Sequence, residues 1–217
     1  MAEPRRTVLR LARERFGFEE LRPGQAEAIE SVLAGRDTLA VLPTGSGKSA
    51  IYQLPSLLLH GPTVVVSPLI ALQRDQVGRL LEVPGVRAAQ ANSAVGVSAR
   101  RAALERVAAG DLEFLFVAPE QLRKDDVISA LTSAGPSLFV VDEAHCISGW
   151  GHDFRPDYLL LEAVTAGLGR PTVLALTATA SPPVRAEIVE RLGMRDPAVV
   201  VRGFDRPNIH LAVEAFL

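Results

Sequence analysis

The segment Asp37-Thr-Leu-Ala-Val-Leu-Pro-Thr-Gly-Ser-Gly-Lys-Ser49 joins an apolar run to a glycine-rich turn. Its first part, Asp37 to Leu42, is short and apolar, as expected of a buried strand. A helix is predicted to follow Ser49 and to continue through Leu59, with a kink at Pro55 because proline removes a backbone hydrogen bond. The segment therefore predicts a strand, a tight turn and a helix in immediate succession.

The turn of this segment has the composition of a phosphate-binding P-loop. Its glycines let backbone N–H groups close around phosphate oxygens, Lys48 can reach the terminal phosphates, and Ser49 can bind Mg²⁺. The strict pattern has glycine where this chain has Leu42, so the motif is met only in its second half. The alternative is a glycine-rich turn that arose by chance. The candidate nucleotide-binding residues are Thr44, Gly45, Ser46, Gly47, Lys48 and Ser49.

Apolar runs and helical periodicities alternate along the rest of the chain, which predicts an α/β fold with a mostly parallel central sheet and helices on both faces. Further strands are predicted at 63–66, 86–89, 114–117, 138–141, 172–176 and 198–201. Helices are predicted at 7–16, 26–33, 70–81, 98–109 (with Ser98 as cap), 120–131, 157–168 and 182–192.

Two carboxylates, Asp142 and Glu143, follow the apolar run Leu138 to Val141. In an open parallel sheet, ligands bind at the carboxyl ends of the strands. An Asp at such a strand end is suited to the magnesium shell of a P-loop site, and the neighbouring Glu to orienting or deprotonating an attacking water. The alternative is a pair of solvated acids, which the P-loop makes less attractive.

The residues after this pair combine aromatic and cationic side chains, including Trp150, the only tryptophan of the chain. Phe154, Arg155 and Tyr158 lie nearby in sequence. Aromatic faces stack on any base and Arg binds phosphate, so the segment is suited to single-stranded nucleic acid. The alternative is an aromatic cluster in the core. Cys146 is interpreted as a small buried side chain and not as a reactive thiol.

Composition restricts the possible partners. The net charge of −2 gives no global basic field, so nucleic acid would have to bind a local patch. A single cysteine excludes an internal disulfide and a multi-cysteine zinc site. No secretory signal and no apolar run of ~20 residues are present, so we expect a cytoplasmic protein with no membrane association.

These motifs resemble a known family. Asp142-Glu-Ala-His145 with Thr44-Gly-Ser-Gly-Lys-Ser49 is similar to superfamily 2 helicases, and Cys146-Ile-Ser-Gly-Trp-Gly-His-Asp-Phe-Arg-Pro-Asp-Tyr158 resembles the RecQ family of DNA helicases. Further matches follow in family order at 16–25, Val64-Val-Val-Ser-Pro-Leu-Ile-Ala-Leu72, Leu176-Thr-Ala-Thr-Ala180 and Phe204-Asp-Arg-Pro-Asn-Ile209.

The resemblance implies a RecA-like P-loop NTPase lobe that uses ATP and Mg²⁺. In the adenine-recognition segment 16–25, Phe18 and Arg22 would sandwich the base and Gln25 would read its edge. Phe18 stands where the family often has tyrosine, and stacking survives that change. The catalytic set implied is Lys48 for phosphate, Ser49 and Asp142 for magnesium, Glu143 for water, and His145.

The resemblance also assigns residues that connect the nucleotide site to DNA. His145, Thr177 and Thr179 would couple the two sites. Gly149 replaces the glutamine usual before the tryptophan, so we expect a looser loop and weaker coupling. The aromatic-rich loop that senses single-stranded DNA would be formed by Trp150, Phe154 and Arg155.

The family motor has two lobes, and this chain matches the first. Residues 1–202 are expected to form the ATP-binding lobe, and 203–217 an exit loop and the start of a second RecA-like lobe that is missing here. The complete protein would be an ATP-dependent DNA helicase moving 3′ to 5′ on single-stranded and partly duplex DNA. One alternative is a single-lobe nucleotide- or DNA-binding module without motor activity. Another, a small-molecule kinase, leaves the aromatic loop unexplained.

Overall fold

The computed structural model describes residues 3–149 and 153–203. Within them a seven-stranded sheet has the strand order β3-β4-β2-β5-β6-β1-β7. All the strand pairs are parallel, which confirms the predicted α/β class. The strands are β1 (Thr38–Val41), β2 (Thr63–Val66), β3 (Ala88–Ala91), β4 (Phe114–Val117), β5 (Leu138–Val141), β6 (Thr172–Thr177) and β7 (Ala198–Val201).

The described residues contain eight α-helices. The first two precede β1 and the other six lie between successive strands, where two of the links also contain short 3₁₀ helices. The α-helices are α1 (Glu3–Phe16), α2 (Gln25–Leu33), α3 (Ala50–Ser56), α4 (Ile70–Leu81), α5 (Val97–Ala108), α6 (Asp125–Ala134), α7 (Leu161–Gly167) and α8 (Pro182–Arg191). The 3₁₀ helices are Pro119–Arg123, Ala144–Ile147 and Pro156–Leu160. None of the described helices is long and apolar enough to cross a membrane.

The sheet is covered on both faces because successive residues of each strand point to opposite sides. Val64 and Val66 belong to a core formed with α5, α6, α7 and α8. Val65, between them, belongs to a second core formed with α1, α2, α3 and α4. The central strands are therefore buried on both faces, which explains why they read as unbroken apolar runs and not as alternating ones.

Several element ends differ from the predicted ones. Helix α3 ends at Ser56 rather than Leu59, and the N–H groups of Leu58 and Leu59 both bond to the carbonyl of Pro55 in a tight turn. Strand β3 lies two residues later than predicted. Ser98 was wrong as the cap of α5: the helix starts at Val97 and its N-cap is Gly96, whose carbonyl accepts the Arg100 N–H.

The parallel arrangement brings the loops after β1, β2, β5 and β6 to one edge of the sheet. Strands β2, β5, β6 and β1 are consecutive neighbours in the sheet, so the P-loop after β1 and the acid pair after β5 are separated by a single strand. The predicted P-loop residues and the acid pair thus meet at the carboxyl edge. The predicted exit loop beyond residue 203 lies outside the described residues.

Candidate nucleotide-binding site

The P-loop has the backbone geometry that its glycines predict. Gly45 and Gly47 adopt φ of 80° and 76°, in the left-handed region that glycine enters at little cost. The turn is closed by the Ser46 N–H bonding to the Pro43 carbonyl at 3.1 Å. The Lys48 ammonium donates to the carbonyl of Leu42 at 3.2 Å, so it is held over the loop itself.

Gln25 ties the segment before α2 to the P-loop. Its side-chain Nε2 donates to the carbonyls of Ser46 at 3.0 Å and Gly47 at 2.8 Å, while its Oε1 accepts the Arg22 N–H at 2.8 Å. The Arg22 guanidinium in turn donates to the Gly45 carbonyl. A Cβ at position 47 would lie 2.8 Å from Gln25 Nε2, so this approach requires glycine. Whether Gln25 also reads a base edge stays a prediction.

A cavity of about 760 Å³ opens beside this contact. The rings of Phe16 and Phe18 stack at its wall with their centroids 5.6 Å apart and an interplanar angle of 21°. Phe16 was missed as part of this wall, although it lies two residues from Phe18. Of the predicted nucleotide residues, the cavity is lined by Phe18, Arg22, Gln25, Gly47 and Ser49.

The acid pair follows β5 as predicted. Asp142 is buried; its Oδ2 accepts from the Ser67 hydroxyl at 3.4 Å and its Oδ1 from the Glu143 N–H at 3.1 Å. Burial and then the charge of Glu143 raise the pKa of Asp142 to about 6, while the Lys48 charge acts to lower it. Glu143 has φ of 50°, an uncommon conformation outside glycine that turns the chain sharply after the strand.

His145 links Glu143 to the end of β6. Its Nδ1 lies 3.3 Å from a Glu143 carboxylate oxygen and 3.0 Å from the Thr177 hydroxyl, which donates to the Thr179 carbonyl at 3.0 Å. The Cys146 sulfur and then the Glu143 hydrogen bond raise the pKa of His145 to about 10. The same hydrogen bond lowers the pKa of Glu143. The three predicted coupling residues therefore form one connected chain with Glu143.

The aromatic segment divides between surface and core. Phe154 is 40% exposed and Arg155 is also exposed, whereas Tyr158 is fully buried and donates from its hydroxyl to the Asp142 carbonyl at 2.9 Å. Cys146 is buried and free, in line with its interpretation as a small core side chain. Trp150 lies outside the described residues, so its placement stays a prediction.

A buried polar chain beside the acid pair was not predicted. The Gln73 amide donates to the Ser67 carbonyl at 2.7 Å, and the Asn92 amide donates to Gln73 Oε1 at 2.9 Å. Asn92 Oδ1 accepts the Ala94 N–H at 3.0 Å. The signal available in the sequence was weak: Gln73 falls on the buried face of α4, where an apolar residue is expected.

The donor set fits magnesium bound together with phosphates. Among the described residues, no three His, Cys, Asp or Glu side chains group into a metal-binding cluster. Magnesium in phosphate-binding sites typically uses one or two carboxylates, with the substrate's phosphates and waters as the other ligands. Asp142 is a buried carboxylate whose hydrogen bonds to other described residues measure 3.1 and 3.4 Å, and it matches that requirement together with Ser49 in the P-loop.

The fold and the site together define a RecA-like P-loop lobe, and comparison with known proteins agrees. Residues 22–187 match the DEAD/DEAH box helicase family. The chain is 46% identical over 199 residues to the probable ATP-dependent DNA helicase RecS of Bacillus subtilis, covering 92% of this chain and 40% of RecS. It is 38% identical over 213 residues to the ATP-dependent DNA helicase RecQ of Pasteurella multocida, covering 98% and 34%.

Solved structures show the same fold. The crystal structure of the DUF1998 helicase MrfA bound to DNA superposes with a TM-score of 0.71 at 18% identity, over 90% of this chain and 29% of MrfA. The chain belongs to the DEAD/DEAH box helicase family, and the predicted resemblance to RecQ helicases is confirmed. It spans less than half the length of the two curated relatives above.

Proposed function

We propose that this chain is the ATP-binding lobe of a RecQ-type, ATP-dependent DNA helicase. One observation carries the proposal: β5 and β1 are separated in the sheet by the single strand β6, so the P-loop after β1 and the acid pair after β5 lie at the same carboxyl edge. In agreement with this, the charge of Lys48 acts to lower the pKa of both Asp142 and Glu143. Phosphate, metal and water ligands are needed together for phosphoryl transfer to water.

Different side chains of the site would bind the phosphates, the metal ion and the attacking water. Lys48 and the P-loop N–H groups bind the phosphates, and Ser49 and Asp142 would hold Mg²⁺, which when bound neutralises charge on the phosphate oxygens. The hydrogen bond from His145 lowers the pKa of Glu143 and so favours its ionised form, and a carboxylate at this position is suited to orienting or deprotonating the attacking water.

The base would enter the cavity beside Phe18. The stacked ring wall offers an apolar surface to an adenine, and the Arg22 side chain lies at the same cavity. Because Gln25 joins this wall to the carbonyls of Ser46 and Gly47, base and phosphate binding are mechanically connected.

The DNA side is proposed to lie along the aromatic segment. Phe154 presents an exposed ring and Arg155 an exposed guanidinium, the pair of groups that stacks on bases and binds backbone phosphate. The connected chain Glu143, His145, Thr177 and Thr179 gives a path by which DNA at this segment affects the catalytic acid.

The test is ATP binding and hydrolysis by the 217-residue chain, with and without single-stranded DNA. We expect Mg²⁺-dependent ATP binding that Lys48→Ala abolishes and Glu143→Gln preserves, because only the first contacts the phosphates. Any turnover that the wild type shows, with or without DNA, should be lost in Glu143→Gln. ATP binding retained in Lys48→Ala would refute the phosphate site, and turnover retained in Glu143→Gln would remove that residue from its role. Binding without turnover is the behaviour expected of a lobe that acts with a second one.

A further inference from the structure

We infer that Glu187 of α8 is a positioning residue that fixes the start of the aromatic loop and thereby transmits DNA binding to the nucleotide site. The inference rests on the proposed function. Glu187 is not in any motif that the sequence singled out, and its carboxylate faces the backbone immediately after the acid pair and its 3₁₀ helix.

The contacts of Glu187 are specific to two consecutive residues. One carboxylate oxygen accepts from the Ser148 hydroxyl at 2.5 Å, and the other accepts the Gly149 N–H at 3.3 Å. Ser148 is fully buried, so its hydroxyl is held in the protein interior. The Arg191 side chain lies 2.8 Å from the second oxygen, on the same helix, and keeps the carboxylate in place. A hydrogen bond to an ionised carboxylate is stronger than one between neutral groups.

Helix α8 connects this contact to the nucleotide site. The helix begins at Pro182, directly after the segment containing Thr177 and Thr179, and Thr177 is bonded to His145. Residues 143–149 are therefore attached to one unit, the end of β6 and α8, at two points: His145 on Thr177 and residues 148–149 on Glu187. A displacement of the loop start must move α8 or break the Glu187 contacts.

The far end of the loop is attached independently. The Arg155 N–H donates to the Cys146 carbonyl at 2.8 Å, which closes the loop on the same 3₁₀ helix. Gly149 has no positive φ, and a Cβ there would meet nothing within 4 Å. Glu187 contacts the backbone N–H of Gly149, which residues other than glycine also have, so the contact does not depend on glycine. The same contact restrains Gly149, the position at which a looser loop was expected.

The experiment measures how a nucleotide changes DNA affinity. Binding of a fluorescein-labelled oligo-dT is followed by anisotropy, with and without adenylyl-imidodiphosphate and Mg²⁺, in the full chain and in Glu187→Ala. The matched control is Glu190→Ala, the same change on the same helix at an exposed position. Affinity for the nucleotide alone and the thermal midpoint are measured for each variant, since a merely structural role would alter these and leave the coupling intact.

We expect the nucleotide to change oligo-dT affinity of the wild type about fivefold or more, the usual size of coupling between two sites. Glu187→Ala should lose most of that change and keep its nucleotide affinity, and Glu190→Ala should match the wild type. The ratio with and without nucleotide cancels any extra attraction of DNA to the unpaired Arg191.

Ser148→Ala removes the contact from the other side and keeps the test decisive if Glu187→Ala does not fold. Combined with Glu187→Ala it should add little further loss, because the bond between the Ser148 hydroxyl and Glu187 is already absent in Glu187→Ala. Wild-type coupling that persists in Glu187→Ala or in Ser148→Ala overturns the inference alone. A wild type that shows no coupling overturns the DNA-sensing part of the proposed function, and the inference with it.

Discussion

Two aspartates, Asp37 and Asp142, are buried to nearly the same degree at opposite edges of the sheet, with exposed fractions of 7% and 8%. Asp37 precedes β1. Its oxygens accept from the Arg170 guanidinium at 2.9 Å and from the N–H groups of Val173 and Arg195, each at 2.8 Å. The protein itself therefore provides the Asp37 carboxylate with a cationic partner and two backbone N–H donors.

Asp142 follows β5, and its carboxylate receives weaker hydrogen bonds from the protein than that of Asp37. Its two hydrogen bonds measure 3.1 and 3.4 Å, and its neighbour Glu143 carries the same charge. The buried carboxylate of Asp37 joins β1, β6 and the segment before β7, whereas that of Asp142 keeps acceptor capacity for a ligand. Buried charge is costly unless it is paired, so an incompletely paired one marks a site where a cation is expected to bind.

The largest expected effect concerns Asp37. In Asp37→Asn an amide donor replaces an acceptor oxygen and Arg170 loses its counter-ion, so we expect a loss of about 3 kcal/mol in the free energy of unfolding by urea. Nucleotide affinity of the folded protein should not change. The control is Asp196→Asn at the same edge, where the ion pair with Arg36 is exposed and little stability should be lost. Equal losses in both variants would show that Asp37 has no special role.

The second effect concerns Asp142, where we expect the substitution to increase the free energy of unfolding. The pKa of Asp142 is raised from 3.8 to about 6, so the neutral form stabilises the fold fully below pH 3.8 and that contribution is lost as the pH rises through 6. Asp142→Asn should therefore be more stable than the wild type at pH 8, by up to about 3 kcal/mol at 1.36 kcal/mol per pKa unit.

The stability advantage of Asp142→Asn should shrink at pH 5 and nearly vanish at about pH 3, where the wild-type carboxyl is mostly neutral in both the folded and the unfolded state. Urea unfolding at these pH values, without nucleotide or Mg²⁺, measures it. Equal or lower stability of the variant at pH 8 would mean that Asp142 is better paired than its two hydrogen bonds indicate.

The smallest expected effect concerns the polar chain beside Asp142. Gln73→Met keeps the volume of the side chain and removes the bonds to Ser67 and Asn92, so we expect a destabilisation of about 1–2 kcal/mol from unsatisfied buried groups. Unlike Asp142→Asn, its effect should not depend on pH between 5 and 8, because no titrating group is removed. A pH-dependent loss would show that the Ser67 contact sets the ionisation of Asp142.

Much of this arrangement was predictable because it depends on local sequence. A short β-branched run such as Thr63–Val66 favours a buried strand, and the P-loop pattern favours left-handed turns at Gly45 and Gly47. The parallel sheet then places the ends of β1 and β5 at one edge without further information. The predicted P-loop residues and the acid pair lie at one edge for that reason.

The remaining features depend on contacts between distant elements. Glu187 and Ser148 are 39 positions apart, and Gln73 and Asn92 are on different elements, so no periodicity connects them. Tyr158 was grouped with the loop by sequence proximity, yet the turn at Glu143 brings its hydroxyl to the Asp142 carbonyl. The ends of α3 and α5 were set by Pro55 and Gly96, whose effects act over a single turn and are easily misplaced by a few residues.

The central claim is that the carboxyl edge binds ATP with a magnesium ion at Asp142. The most direct measurement is calorimetric titration of ATP into the wild type and Asp142→Asn, each with and without Mg²⁺. We predict that at pH 8 Mg²⁺ strengthens ATP binding in the wild type and has no such effect in Asp142→Asn, although we expect the variant to be folded and more stable than the wild type at this pH. An equal magnesium dependence in both proteins would contradict the account.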